Sequence, residues 1–267
     1  MHDTRSTSET TPTPAPHGAP PALAGGGRST SLVAFQRRRW SRRAQSWNDG
    51  VAANQGLGAT IDAVVNSARA APGMHVLDMG CGSGQVTIPL ARIAADVIAV
   101  DVSPAMICLL GENLLREGLG NVSARVEALE SLQLPPGSLD LIVSNYALHH
   151  LADDDKRRLV AAAAVWLRPG GRLVIGDLML GRGRDARDRA VIREKVAALA
   201  RRGPGGWWRV TKNAWRFTAR TAERPLPMAA WVRLLEDAGF VTVTAQPIVS
   251  EAAVVTGTCP LPCPAPA

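Results

Sequence analysis

Two aspartates and three glycines have the types and spacing that could do chemistry in this sequence. Residues 76–84, VLDMGCGSG, are typical of a buried strand followed by a glycine loop, whose glycines at 80, 82 and 84 let the backbone turn and approach a ligand closely. Asp78 stands at the carboxyl end of that strand, where its carboxylate can accept an ammonium group. Asp101 ends a second predicted strand, 96–101, where an acid is placed to hold the two hydroxyl groups of a ribose.

An ammonium acceptor, a glycine loop and a ribose acceptor together describe a site for S-adenosylmethionine. The pattern Asp-x-Gly-x-Gly-x-Gly at 78–84, with Val-Asp-Val-Ser-Pro-Ala-Met at 100–106, resembles the class I S-adenosylmethionine-dependent methyltransferases. The resemblance extends from about Ala44 to Ala245. It implies an enzyme that transfers a methyl group to an acceptor by in-line displacement, in which the leaving thioether needs no acid.

The resemblance also implies a set of cofactor-binding residues. Glu127 matches an acid near the end of the third strand that meets the adenine amino group, with Glu130 as the alternative, because the spacing from Glu127 to Asp140 is one residue longer than the family pattern. Trp47 either closes over the cofactor or anchors an N-terminal helix to the core, and Trp40 is expected to be such an anchor. The full predicted set is Asp78, Gly80, Cys81, Gly82, Gly84, Asp101, Val102, Met106, Glu127, Ala128, Asn145 and Trp47.

Candidate catalytic residues follow the fourth predicted strand, 139–145. The segment Tyr146 to Leu151, YALHHL, resembles that of quinone-type and related small-molecule methyltransferases. Because open α/β sheets bind ligands at the carboxyl ends of their strands, Tyr146, His149 and His150 should face the cofactor or the substrate. If the methylated atom is a hydroxyl oxygen or an acidic carbon, His149 or His150 is the candidate base and Tyr146 orients the substrate. Alternatively, the histidines only shape the loop.

The alternation of strand and helix patterns predicts a doubly wound, Rossmann-like α/β fold. Family resemblance extends this to a seven-stranded sheet, mostly parallel with an antiparallel C-terminal hairpin and with helices on both faces. Arg168-Pro169-Gly170-Gly171 is expected to be a turn leading into a fifth strand at 172–177. The hairpin is predicted at 240–245 and 251–258. Helices are predicted at 58–70, 105–117, 153–167, 185–201 and 226–238, and another after Gly84 with Val86, Leu90 and Ile93 on one face.

The predicted domain organisation has three parts. Residues 1–30 are rich in Ser, Thr, Pro, Ala and Gly and are expected to be a disordered leader. The methyltransferase domain is expected at 31–258, with N-terminal helices at 31–72 and a substrate lid at 181–225, in which Trp207 and Trp208 would contact the substrate. Residues 259–267 form a proline-rich tail.

Composition narrows the possible partners. No apolar segment approaches the roughly 20 residues of a membrane helix, and no signal peptide is evident, so a cytoplasmic enzyme is expected. Cys259 and Cys263 lack the further Cys or His that a zinc site needs, and no metal is predicted. The expected partner is a small-molecule methyl acceptor, and a homodimer remains open.

Two other functions share part of this pattern. A dinucleotide-binding oxidoreductase would carry Gly-x-Gly-x-x-Gly, and Asp78 would repel a pyrophosphate. A nucleic-acid methyltransferase would carry Asn/Asp-Pro-Pro-aromatic after the fourth strand, whereas this chain has Ser144-Asn145-Tyr146-Ala147. The net charge of +7 permits a nucleic-acid partner without requiring one. A protein that binds the cofactor without turnover is a further alternative.

Overall fold

The structure, a computed structural model, describes residues 28–51, 55–181, 186–201 and 223–262. Its strands are β1 (His75–Met79), β2 (Asp96–Asp101), β3 (Val122–Val126), β4 (Leu139–Asn145), β5 (Leu167–Leu178), β6 (Val241–Pro247) and β7 (Ala252–Thr258). Its helices are α1 (Arg28–Val51), α2 (Gln55–Ala68), α3 (Thr87–Ala91), α4 (Pro104–Glu117), α5 (Asp153–Trp166), α6 (Ala186–Ala200) and α7 (Met228–Asp237), with a short 3₁₀ turn at Leu148–His150.

The strands form one seven-stranded sheet in the order β3-β2-β1-β4-β5-β7-β6. Strands β1 to β5 are parallel, whereas β7 runs antiparallel to both β5 and β6. The predicted fold is therefore confirmed. Because β1 pairs with β2 on one side and β4 on the other, strand order reverses at β1, and such a switch point is where doubly wound sheets bind ligands.

Apolar side chains cover both faces of the central strands. One cluster packs Trp166 of α5 and Trp231 of α7 against Leu77 and Ile142 of the sheet. The other packs Val64 of α2 against residues that include Val76 and Val143. Strand β4 is buried along almost its whole length, as its nearly continuous apolar sequence predicts. Across the part of the chain that the structure describes, no helix has the length and apolar character to span a membrane.

Most element boundaries differ from the sequence prediction by a few residues, and three differences affect the interpretation. Helix α1 begins at Arg28, so its first turn lies within the predicted leader. Strand β5 begins at Leu167 and not at Arg172, because Leu167 already pairs with Leu139 and the strand continues through a register shift. The prediction that Ile93 shares a helix face with Val86 and Leu90 is wrong: α3 ends at Ala91, and Ile93 is 44% exposed whereas Val86 and Leu90 are buried.

Gly176 of β5 allows α2 to approach the sheet closely. It pairs with Asn145 of β4, and its carbonyl accepts a hydrogen bond of 2.8 Å from the Tyr146 amide. A Cβ at Gly176 would lie 2.3 Å from Val64 Cγ2 of α2 and 3.2 Å from Thr60 Cγ2. The absence of a side chain therefore sets the distance between α2 and the end of β4.

We expect Gly176→Ala to lower the free energy of unfolding by about 1–3 kcal/mol, because the added methyl group overpacks the contact with α2. Urea-induced unfolding measures this change. Gly111→Ala in the middle of α4 is the matched control, since no atom lies within 4 Å of its added Cβ, and it should raise stability by about 0.5–1 kcal/mol. Equal destabilisation of both variants would contradict the close packing of α2.

Candidate active site

The glycine loop after β1 is held between two neighbouring segments. The amides of Gly80 and Cys81 both donate to Val100 O of β2, at 2.8 and 3.0 Å. On the other side, a Cβ at Gly80, whose φ is +75°, would lie 2.2 Å from the Cβ of Ala147. The backbone of the loop therefore lies in close contact with Ala147, in the segment after β4, and only glycine fits at position 80.

Asp101 is fixed at the end of β2 by backbone amides. Its Oδ2 accepts from Gly82 N at 3.1 Å, and its Oδ1 accepts from Ser103 N at 2.8 Å. Burial raises the pKa of this carboxyl above its ordinary value, although both amide hydrogen bonds oppose the rise. The carboxyl group is therefore held in one orientation beside the glycine loop.

Asp78 is more deeply buried, with 1% of its surface exposed. Thr87 Oγ1 donates to its Oδ2 at 2.6 Å. Burial, with a smaller contribution from the Asp101 carboxylate, raises the pKa of Asp78 to about 7 despite the Thr87 hydrogen bond. A buried carboxylate beside a second carboxylate is costly unless a cation compensates it, so the site favours a cationic ligand.

These groups line an open cavity of about 960 Å³ at the switch point of the sheet. Most of the predicted cofactor residues are brought together there, namely Asp78, Gly80, Cys81, Gly82, Asp101, Val102, Met106 and Asn145. Gly84 is not part of the lining. Its φ is +101°, and a Cβ there would lie 2.6 Å from Leu110 Cδ1, so this glycine permits close packing of α4 behind the loop.

The structure places Glu130 and Leu129 in the cavity wall, and not Glu127 and Ala128. Strand β3 ends at Val126, and the Glu127 amide still extends the pairing with β2 by donating to Asp101 O at 3.0 Å. The chain then turns, with Ser131 N donating to Ala128 O, and this turn carries Glu130 to the cavity. The geometry therefore favours Glu130, the alternative acid of the sequence prediction, as the acid of this wall.

Helix α1 supplies a wall that the sequence prediction missed. Val33, Gln36 and Trp40 line the cavity, although Trp40 was expected only to anchor the helix. Their spacing of three and four residues puts them on one helix face, which is the signal that could have found them. The Trp47 side chain lies outside the described part of the structure.

Polar contacts fix α1 to the loop after β2. Arg37 Nε donates to Val102 O at 3.2 Å, and the Ser41 and Ser103 hydroxyls lie 3.0 Å apart. Ser103 also caps α4 by accepting from Met106 N at 3.3 Å. Helix α1 therefore covers the cavity opposite the sheet.

A second cavity, of about 1160 Å³, adjoins the first. Four residues line both: Trp40, Leu57, Tyr146 and His150. The remaining wall of the second cavity is polar, and among its residues are Arg39, Arg43, His149, Glu223 and Glu251. Two ligands can therefore meet at the shared wall.

His149 forms a buried pair with Asp177 at the end of β5. The distance from His149 Nδ1 to Asp177 Oδ1 is 2.5 Å, and Leu178 N also donates to Asp177 Oδ1 at 2.8 Å. Within the described part of the chain, His149 Nε2 has no hydrogen-bond partner. A carboxylate that accepts from Nδ1–H leaves the lone pair on Nε2, so His149 can accept a proton there.

Tyr146 and His150 complete the shared wall. Tyr146 has a φ of +50°, an uncommon conformation for a residue with a side chain, and such strain clusters at functional sites. Burial raises the pKa of its hydroxyl, although the nearby Thr60 opposes the rise. The His150 ring lies 5.3 Å from Trp40 and 4.0 Å from His149, measured between centroids.

The segment that follows residue 222 is attached directly to this site. Arg224 N donates to His149 O at 2.6 Å, and its own carbonyl accepts from the buried Lys156 Nζ at 2.5 Å. Glu223 pairs with Arg39 of α1 at 3.2 Å. Trp207 and Trp208, the predicted substrate residues, lie outside the described residues, as does most of the predicted lid.

A family model described as "Methyltransferase domain" matches residues 76–171. These residues hold the glycine loop, both aspartates and His149, and the seven-stranded order of the sheet surrounds them. Residues 76–171 therefore match a methyltransferase domain, and the fold around them is that of the class I, S-adenosylmethionine-dependent type.

Curated relatives and solved structures agree with this assignment. The chain is 35% identical over 107 residues to a ubiquinone biosynthesis O-methyltransferase of Xanthomonas euvesicatoria. The alignment covers 40% of this chain and 44% of the relative. The chain thus spans about half the length of the curated relatives it matches.

Two solved structures share the fold at low sequence identity. A Burkholderia thailandensis 1,6-didemethyltoxoflavin-N1-methyltransferase has a TM-score of 0.59 at 18% identity, over 93% of this chain and 94% of that one. The structure of DhpI with S-adenosylhomocysteine has a TM-score of 0.61 at 18% identity, and the match covers 88% of this chain and 99% of DhpI.

The cavity of the methyltransferase domain fits the family's cofactor, S-adenosylmethionine. Asp101 suits the ribose hydroxyl groups, and the buried Asp78 suits the ammonium group of the amino-acid arm. The glycine loop leaves no Cβ between backbone and ligand. Asn145 Oδ1 is buried in this wall and has no hydrogen-bond partner among the described residues, and a polar ligand would supply one.

The pKa of Asp78 predicts that cofactor affinity depends on pH. If the ammonium group of the cofactor binds Asp78 as the ionised carboxylate, the Asp78 carboxyl of the free protein must first lose a proton below pH 7. Affinity for S-adenosylhomocysteine should therefore fall by up to about tenfold for each pH unit below 7. Calorimetric titration between pH 5.5 and 8 measures this.

Asp78→Asn is the control for that titration. It should bind weakly at every pH and lose most of the pH dependence, while the raised pKa values of Asp101 and Glu130 remain in place. Affinity of the unsubstituted protein that is constant from pH 5.5 to 8 would show that Asp78 does not bind the ammonium group as a carboxylate.

Proposed function

We propose that this protein transfers a methyl group from S-adenosylmethionine to a hydroxyl group of a small organic acceptor bound in the second cavity. The observation that carries the proposal is the shared wall of Trp40, Leu57, Tyr146 and His150. It joins the cofactor cavity to a second cavity that is lined by His149, the partner of the buried Asp177. A methyl donor in the first cavity and a methyl acceptor in the second would meet at these shared residues, close to His149 as the proton acceptor.

The main task of the chain in this reaction is alignment. When bound, S-adenosylmethionine supplies an electrophilic methyl group whose thioether leaving group needs no acid. The protein must hold the acceptor oxygen in line with that group and exclude water. Trp40 and Leu57 provide apolar surface on the shared wall, and Tyr146, held at φ +50° by the hydrogen bond to Gly176, orients the acceptor.

His149, rather than His150, is the proposed base. Its Nδ1 is hydrogen-bonded to Asp177, which fixes the ring and stabilises the imidazolium form that appears when Nε2 accepts the hydroxyl proton. The His150 ring lies between Trp40 and His149, so its proposed role is to shape the wall. Asp177 is a positioning residue, since it acts through His149.

A hydroxyl acceptor is supported by the name of the Xanthomonas relative, an O-methyltransferase of ubiquinone biosynthesis. That relative is matched over 44% of its length, so the likeness supports a class of acceptor and not a particular compound. We also propose that residues 181–225 cover the acceptor through Trp207 and Trp208, that Glu130 meets the adenine, and that Trp47 closes over the cofactor. The protein is proposed to act in the cytoplasm.

The first test is calorimetric titration of the purified protein with S-adenosylmethionine, S-adenosylhomocysteine and NADH. We expect micromolar binding of both sulfur compounds and none of NADH. Asp101→Ala should weaken the binding of both sulfur compounds by about 1.5–3 kcal/mol, the usual contribution of hydrogen bonds to a charged group. Folded protein that binds NADH and neither sulfur compound would replace this proposal with the oxidoreductase alternative.

The second test assigns the base. Phenols, quinols and amines are screened as acceptors by the formation of S-adenosylhomocysteine, and hydroxyl compounds should react best. With the best acceptor, His149→Gln should lower kcat by about 10²–10⁴-fold while cofactor affinity is retained. Asp177→Asn should also lower kcat and shift its pH profile, because the orientation of the imidazole is lost.

His150→Gln serves as the matched variant for this assignment and should lower kcat much less than His149→Gln. Full activity of both histidine variants would contradict base catalysis and leave alignment as the whole mechanism.

A further inference from the structure

Gln36 is the most deeply buried polar side chain on the cavity face of α1. It lies one helical turn before Trp40, and only 7% of its surface is exposed. It lines the same cavity as Asp78 and Asp101. It also lies outside residues 76–171, so the family match assigns it no role.

Neither polar atom of the Gln36 amide has a hydrogen-bond partner. Both Nε2 and Oε1 are buried without one, and the described part of the chain supplies no other contact to them. Buried amides in native proteins are almost always satisfied, so a group of this kind that faces a cavity points to a ligand. The ligand must offer both an acceptor for Nε2 and a donor for Oε1.

The charges of the cavity wall indicate which part of the cofactor would bind the Gln36 amide. Three acids line the cavity, Asp78, Asp101 and Glu130, whereas no lysine or arginine is among its described lining residues. They suit the cationic and hydroxyl groups of the cofactor, but they leave its carboxylate without a positive partner. The Gln85 amide is already engaged, because its Nε2 donates to Ser83 Oγ at 2.8 Å. Gln36 Nε2, in contrast, is a donor that no other group in the described ranges engages.

We propose that Gln36 binds the zwitterionic amino-acid arm of the cofactor, with Nε2 donating to its carboxylate and Oε1 accepting from its ammonium group. Gln36 is then a cofactor-binding residue supplied by α1, opposite Asp78 of the sheet. This inference rests on the cofactor proposed above. It also makes the docking of α1 depend on the cofactor, in addition to the contacts of Arg37 and Ser41.

The test compares two ligands that differ only in the arm. S-adenosylhomocysteine contains it, and 5′-methylthioadenosine is the corresponding nucleoside without it. Gln36→Met has nearly the same shape as the natural side chain but neither donates nor accepts. Calorimetry should show S-adenosylhomocysteine binding weakened by about 10- to 100-fold, as expected for lost hydrogen bonds to charged groups, with 5′-methylthioadenosine binding unchanged.

Thermal unfolding without ligand gives an independent readout. The substitution Gln36→Met removes an unsatisfied buried amide and should therefore raise the Tm of the free protein, by about 2–4 °C for each kcal/mol gained in the free energy of unfolding. The further increase in Tm that S-adenosylhomocysteine causes should be smaller than in the unsubstituted protein. Arg38→Ala, on an exposed position of the same helix, is the control and should change neither affinity. Gln36→Leu repeats the measurement with a second apolar side chain.

Three results would overturn the inference. Unchanged affinity of both Gln36 variants for S-adenosylhomocysteine would remove Gln36 from the site. Equal weakening of both ligands would place Gln36 at the nucleoside. A lower Tm for both variants without ligand would show that the amide is satisfied within the protein. Failure of the unsubstituted protein to bind S-adenosylhomocysteine is a different outcome, since it contradicts the proposed function itself.

Discussion

The burial of two carboxylates, Asp78 and Asp101, beside the glycine loop is the constraint on which the site depends. Among the described residues of the cavity wall there is no lysine or arginine; backbone amides hold Asp101, and the Thr87 hydroxyl holds Asp78. Such a pair has an unfavourable free energy in the free protein, and the pKa of Asp78 near 7 reflects this. A ligand with an ammonium and a ribose group relieves the cost, so the same burial that destabilises the free site favours the complex.

The second constraint is steric, and glycines set it. Gly80 brings the loop against Ala147, while Gly176 brings α2 against the end of β4. Between them lies Tyr146, whose unusual backbone conformation is held by the carbonyl of Gly176. The position of the shared wall thus follows from contacts that a single methyl group would disturb. Precise alignment of donor and acceptor requires this kind of rigidity.

Local signals were sufficient for the fold. The glycine loop, the strand-ending acids and the apolar strands are contiguous in sequence, and the structure brings Asp78, Asp101, Met106 and Asn145 to one cavity, whereas Gly84 lies behind it. The contribution of α1 could not be predicted in the same way, because nothing in its sequence states which helix face meets the sheet. Glu130 was only an alternative, since the turn after β3 has no repeating pattern, and the Asp177 partner of His149 depends on the register of β4 with β5.

The attachment of Glu223 and Arg224 has an evolutionary consequence. These two residues, which directly follow residue 222, are bound to α1, to the backbone of His149 and to the buried Lys156. In the proposed enzyme, the position of His149 is therefore fixed by the sheet and by Glu223 and Arg224. It does not depend on which side chains residues 202–222 carry. Related proteins could exchange that interval to accept different compounds while inheriting the chemical step unchanged. Diversification of substrates and preservation of chemistry would then proceed on separate parts of the chain.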